Sequence, residues 1–346
     1  MRFTRFSIQI VARGAVYCDR QMSTDVDLKL PLPLRGIVPP LVTPLTETGK
    51  FDARSFSTLI ERVIEGGVHG LFLLGTTGEF CSLSTETRKQ VVSEGCRAAA
   101  KRVPVVVNVS DTSFEESLKL ARHAAGAGAT AVAICPPYYF SVTQEDLLRY
   151  TQKFAEASDL PVFLYNIPQN AHVEFEADTV RRLADVPNVA GLKNSNGSVE
   201  YTSQVSQVKA RRPEFSLLVG TEEIMMTAME AGADGSVCGG ANMFPALYVK
   251  LFDAMENKQL SQAKELQGLI ARIAKEIYSV GPANTSYFRG LKGALAQLGV
   301  CGESLAEPLT VFNSEERQEL RSRLNRLLPE LLSDRPATPA RGLGDF

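Results

Sequence analysis

One pattern recurs from Gly36 onward and restricts the fold more than any other feature. It is a short apolar run, a polar loop, an amphipathic helix, a glycine-rich stop, and then the next apolar run. Residues 37–42, 71–74, 103–107, 131–134, 161–164, 189–193, 216–219 and 235–238 read as eight short strands. They are continuously apolar, as strands covered on both faces are. Between them lie helical stretches. Asp52 is placed to cap a helix whose Phe56, Leu59, Ile60, Val63 and Ile64 share a face, and Phe114, Leu118, Ala121 and Ala125 fall in register on another. Further helices are expected at 85–100, after Thr143 and at 178–183. The stops echo one another: Gly66-Gly67-Val68, Ala127-Gly128-Ala129 and Ala231-Gly232-Ala233 each precede a strand. Alternation of this kind means α/β. Eight units over roughly 250 residues predict a closed (β/α)8 TIM barrel. The open doubly wound sheet is the other reading, but its glycine fingerprint after the first strand is missing.

The chain divides accordingly. Residues 35–258 are expected to form the barrel. Residues 259–332 form C-terminal helices, with helical stretches expected at 246–255, 260–278, 286–298 and 314–332, the later ones capping the barrel or a partner subunit. Residues 333–346 read as a loose tail rich in Pro, Arg and Gly. Residues 1–34 are an N-terminal extension set outside the fold. Arg2, Arg5, Arg13 and Arg20, with no acid before Asp19, resemble a transit peptide and organellar import. The other reading is a later start at Met22, giving a cytoplasmic protein.

At 346 residues, 44% hydrophobic, there is ample material for a large core, and a net charge of −2 argues against a nucleic-acid partner. Cys18, Cys81, Cys96, Cys135, Cys238 and Cys301 show no paired spacing and fit free thiols in a reducing compartment. His69, His123 and His172 are scattered, which gives a metal or triad site little support. No apolar run reaches membrane-spanning length.

In a barrel of this type chemistry sits at the C-terminal strand ends. Lys193 ends strand six, in Val189-Ala190-Gly191-Leu192-Lys193. A lysine poorly hydrated there has a lowered pKa, and a neutral amine can form a Schiff base with a ketone. Tyr165 ends strand five, with Asn166-Ile167-Pro168 after it, and can carry the protons that imine chemistry moves. Gly75-Thr76-Thr77-Gly78-Glu79 follows strand two: Thr76 can extend the relay, while Gly75 and Gly78 let amides approach a carboxylate with the Thr77 hydroxyl assisting. Tyr138 and Tyr139 follow strand four, Gly220 strand seven and Gly239-Gly240 strand eight. The last pair is also a position where late barrel loops hold phosphate, though no lysine or arginine lies nearby in sequence.

These segments, in this order, are similar to those of the dihydrodipicolinate synthase / N-acetylneuraminate lyase family of pyruvate-dependent class I aldolases, over residues 35–332. The resemblance rests on Gly75-Thr76-Thr77-Gly78-Glu79, Pro137-Tyr138-Tyr139, Tyr165-Asn166-Ile167-Pro168 and Gly191-Leu192-Lys193. It implies a (β/α)8 barrel with C-terminal helices, assembled as a homotetramer of two tight dimers. It implies Lys193 as the Schiff-base residue for pyruvate, Tyr165 as the acid/base, and Thr76 and Tyr139 as the relay, with Tyr139 reaching across the tight dimer. Thr77 would bind the keto-acid carboxylate and Val237 would form pocket wall. No metal or organic cofactor is required, because the imine is the electron sink.

The substrate branch divides the resemblance. Dihydrodipicolinate synthases carry an arginine two residues beyond Tyr-Asn-x-Pro for the aldehyde's carboxylate. Asn170 stands there, and an amide does not replace a guanidinium fork. Ser195, Glu222 and Glu223 instead match positions at which sialate-type lyases meet a polyhydroxylated chain, although Glu222 and Glu223 fit an acidic first helical turn equally well. The expectation is therefore a lyase/aldolase for a 2-keto-3-deoxy sugar acid or sialate-like keto acid. Dihydrodipicolinate synthase and a keto-acid dehydratase are the alternatives.

Overall fold

The computed structural model describes residues 29–332. The expected tail, and residues 1–28 of the expected extension, lie outside the described residues. Along the chain come β1 (Gly36–Ile37), α1 (Ala53–Glu65), β2 (Leu71–Leu73), α2 (Thr85–Ala99), β3 (Val105–Asn108), α3 (Phe114–Ala127), β4 (Ala131–Ile134) and α4 (Gln144–Ala157). Then follow β5 (Val162–Asn166), α5 (Pro168–Ala171), α6 (Ala177–Leu183), β6 (Val189–Asn194), α7 (Val199–Ser206), β7 (Ser216–Val219), α8 (Met225–Glu230), β8 (Gly235–Ser236) and α9 (Pro245–Glu256). The helices α10 (Leu260–Ile277), α11 (Ala283–Gln297) and α12 (Ser314–Leu332) complete it.

All strand pairs are parallel, in the order β1-β8-β7-β6-β5-β4-β3-β2. A parallel bridge between Pro40 and Phe72 closes the ring. Strand one is shorter than the expected 37–42, because Pro39 and Pro40 have no N–H for a ladder; the Pro39 carbonyl still accepts from Phe72. Strand two stops at Leu73 because Leu74 turns left-handed (φ 56°).

Local chemistry starts five of the described helices. Asp52, Ser84, Ser113, Thr143 and Ser198 accept from the N–H three residues on, each capping its helix. Phe56, Leu59, Ile60 and Val63 form the buried stripe of α1, and Ile64 is half-buried at its edge. Gly128 and Gly232 sit at φ 91° and 103°, where a side chain would be strained, and so turn the chain from helix to strand.

Apolar side chains fall into two sets. The larger lies between the strands and the helical jacket. The smaller fills the barrel lumen and includes Val38, Phe72, Val106, Ala131, Phe163, Tyr165, Leu218 and Val237. Leu34 belongs to this inner set, buried, with its N–H donated to Ser216 Oγ at 2.8 Å, and Leu30 packs against it. The expected boundary between extension and barrel at 34/35 is thus too late: residues at least as early as Leu30 plug the base of the lumen, because it needs apolar filling at that end.

Candidate active site

β5 and β6 lie side by side with Tyr165 paired to Lys193. A register shift produces this pairing. Val162 pairs with Val189, but Phe163 pairs with Gly191, so β6 carries one extra residue. Strict alternation from the inward Ala190 would turn Leu192 into the lumen and Lys193 out. With the bulge, Leu192 packs in the outer set and Lys193 rises over the lumen rings. Its Nζ lies 3.9 Å from the Tyr165 ring centroid and 4.2 Å from that of Phe72. Lys193 is 3% exposed, and burial brings its pKa down to about 7. Beyond it the strand ends are clamped: Asn166 Nδ2 donates to Asn194 Oδ1 at 3.0 Å, and the Phe175 N–H donates to Asn166 Oδ1 at 3.0 Å.

Thr76 Oγ1 and the Tyr165 hydroxyl share a hydrogen bond of 2.9 Å. Burial raises the Tyr165 pKa, opposed by hydrogen bonds from Thr76 and Ser195, so the phenol keeps its proton at neutral pH. Lys193, Tyr165, Thr76, Thr77, Ser195, Val237, Glu222 and Glu223 line one cavity of about 270 Å³. The structure therefore brings together most of the residues singled out in the sequence.

Others stand apart. Gly75 and Gly78 lie behind the threonines and do not line this cavity; the Gly78 N–H is donated to Gly75 O at 3.0 Å and is not presented to a ligand. Asn170 borders a separate, mostly apolar hollow of about 280 Å³ on the far side of Tyr165 and Thr76. Tyr139 is 79% exposed, edge-on to the exposed Phe140. Glu222 is engaged three times: Gly240 N–H (2.8 Å), Tyr248 OH (3.0 Å) and Tyr278 OH (3.0 Å) all donate to it. Burial nevertheless raises it to about 7. Glu222 is thus a braced part of the wall, whereas Glu223 is exposed at the rim. The Gly239-Gly240 pair is not set up as a phosphate cradle: the Gly240 N–H is donated to Glu222, and a Cβ on Gly239 or Gly240 would lie 2.1 Å from the Tyr287 hydroxyl or 1.8 Å from that of Tyr248.

Pro40, Ile167, Thr221, Tyr278 and Tyr287 also line the cavity and were not singled out in the sequence. The two tyrosines come from the end of α10 and from α11, the helices expected only to cap the barrel. No spacing marks a lone helical tyrosine as a site residue.

The family model for the dihydrodipicolinate synthetase family matches residues 33–327. The chain belongs to that family. It is an enzyme, a lyase of the class I aldolase type. A 4-hydroxy-tetrahydrodipicolinate synthase of Hyphomonas neptunium is 34% identical over 80% of this chain and 92% of its own length. A Thermococcus onnurineus protein described as an uncharacterized DapA-like lyase is 31% identical over 85% of this chain and 100% of its own. Among solved structures, the dihydrodipicolinate synthase of Bacteroides thetaiotaomicron superposes with a TM-score of 0.83 at 44% identity, covering 85% of this chain and 99% of that one. YagE, an E. coli prophage protein solved with pyruvate, superposes with a TM-score of 0.81 at 28% identity, covering 86% and 99%. Among the described residues no helix is long and apolar enough to cross a membrane.

Proposed function

We propose that Lys193 forms the Schiff base with pyruvate or the pyruvyl part of a larger keto acid. Its neutral amine attacks the keto carbon; the carbinolamine loses water, and the resulting iminium withdraws electrons from the C3–C4 bond. Tyr165, having given its own proton to the departing water, takes the C4 hydroxyl proton as that bond breaks, releasing an aldehyde and leaving an enamine, which Tyr165 reprotonates at C3 before hydrolysis to pyruvate. Run backwards, the same steps condense pyruvate with an aldehyde. Thr76 relays the Tyr165 proton, and Thr77 receives the keto-acid carboxylate. The observation that carries this reading is the buried Lys193 amine, brought down to about 7 and paired across the sheet with Tyr165. Pyruvate as the keto acid is supported by the relatives solved with it, YagE and an Acinetobacter baumannii dihydrodipicolinate synthase.

For the aldehyde half we propose a neutral, hydroxylated chain, as in a 2-keto-3-deoxy sugar acid. Among the described residues lining the cavity, Lys193 is the sole ammonium or guanidinium, while Ser195, Thr221 and Glu223 offer hydroxyl and carboxylate partners. A second carboxylate would find no cation there. The relatives named as synthases favour a second reading, condensation with aspartate semialdehyde. A panel assay separates the two: pyruvate release from 2-keto-3-deoxy sugar acids supports the first, and faster condensation with aspartate semialdehyde establishes the second. We further propose a tetramer of two tight dimers, in which the exposed Tyr139 completes the relay of a neighbouring subunit, and a cytoplasmic location unless residues 1–34 direct import.

A further inference from the structure

The C-terminal helices reach the reaction chamber through Tyr278 and Tyr287, and the second of these meets a threonine of the β2 loop. Tyr287 OH and Thr77 Oγ1 share a hydrogen bond of 2.9 Å. The ring is held edge-on against Tyr278 (centroids 4.9 Å apart), and Tyr278 is itself fixed by its bond to Glu222. The phenol oxygen sits over Gly239, where a Cβ would come within 2.1 Å of it. A tyrosine so confined is positioned and not merely packed.

Two hydroxyls sharing one bond leave one proton free, and chemistry decides which. A phenol is the stronger acid and an aliphatic hydroxyl oxygen the stronger acceptor, so Tyr287 donates to Thr77. The Thr77 proton is then free to turn away from Tyr287, toward the cavity that both residues line. Burial holds the Tyr287 pKa above its ordinary value, which keeps it a donor. Once Lys193 is joined to the keto carbon its nitrogen is fixed there, so the remaining hydrogen bonds to a substrate carboxylate have to come from neutral donors. A chain of two hydroxyls ending on an anion is strengthened along its length.

We propose that Tyr287 is a positioning residue that turns the Thr77 hydroxyl toward the substrate carboxylate and thereby sets a preference for 2-keto acids over neutral ketones. This rests on Lys193 as the imine-forming residue and Thr77 as the carboxylate ligand.

Borohydride trapping on the full chain, titrated with pyruvate and separately with acetone, tests it. The readout is the ratio of the acetone to the pyruvate half-saturating concentration. In Tyr287→Phe that ratio falls roughly five- to tenfold, the size of one lost hydrogen bond, while trapping at saturating pyruvate stays complete. Gly239→Ala, which drives the phenol from its seat, gives the same fall. An unchanged ratio in Tyr287→Phe, or equal weakening of both ketones, overturns the proposal, since a merely structural role moves both alike. If the unaltered protein traps neither ketone, the lysine assignment itself fails, and this proposal fails with it.

Discussion

Among the described residues two lysines are almost wholly buried, and they have opposite surroundings. Lys292 on α11 is 1% exposed. Its Nζ lies 2.6 Å from Glu79 Oε1 and donates to Ser304 O at 2.6 Å, while Glu79 Oε2 accepts from the Ala306 N–H at 2.6 Å. Lys193 is 3% exposed and has aromatic faces where Lys292 has a carboxylate. Burial pushes both amines down, but at Lys292 Glu79 opposes it directly. A buried lysine beside an anion remains a cation and serves as a staple. One held among rings can shed its proton and becomes a nucleophile. The staple also serves the site proposed for imine formation: Glu79 ends the loop that bears Thr76 and Thr77, so the pair fastens the threonines to the C-terminal helices.

The comparison can be broken in several ways. Lys193→Ala is expected to lose borohydride-trapped pyruvate and turnover altogether while the fold persists; mass spectrometry reads this directly, and trapping that moved to Lys292 would erase the distinction. Tyr165→Phe should still trap pyruvate but turn over roughly two to four decades more slowly, the range of a positioned acid/base. A full rate in that variant removes Tyr165 from the mechanism. Lys292→Met strands a buried carboxylate and should lower unfolding free energy by about 3–5 kcal/mol in denaturant titration. Adding Glu79→Gln should restore part of the loss, and failure to do so denies the staple.

The smallest effect concerns pH. Lys193 is protonated and unreactive below its lowered pKa, so imine formation should rise about tenfold per pH unit below pH 7 and level off above it. Single-turnover trapping across pH measures this. A plateau reached only near the ordinary lysine range would place Lys193 in the same class as Lys292.

Much of this was legible in the sequence, for reasons that are local. Continuous apolar runs separated by capped, glycine-stopped helices admit few folds, and Asp52, Thr143, Gly128 and Gly232 mark their boundaries by backbone chemistry alone. Lys193, Tyr165 and Thr76 could be placed together because the first two stand at strand ends and the third in the loop after β2, and strand ends in a closed parallel barrel share one face. Glu222 could not be given its partners, because an acidic residue after a strand looks alike whether it faces a ligand or two tyrosines drawn from helices far along the chain.

What the sequence by itself determined is the order of elements and the rim on which the reactive side chains gather, since periodicity, caps and turns act between near neighbours. The tertiary structure decided the rest. The extra residue of β6 is visible only against β5, and it alone turns Lys193 inward beside Tyr165. The Tyr287–Thr77 contact spans 210 positions, and the Lys292–Glu79 pair likewise joins α11 to the loop after β2. Desolvation and long-range pairing depend on what packs around a group, and no short stretch of sequence carries that information.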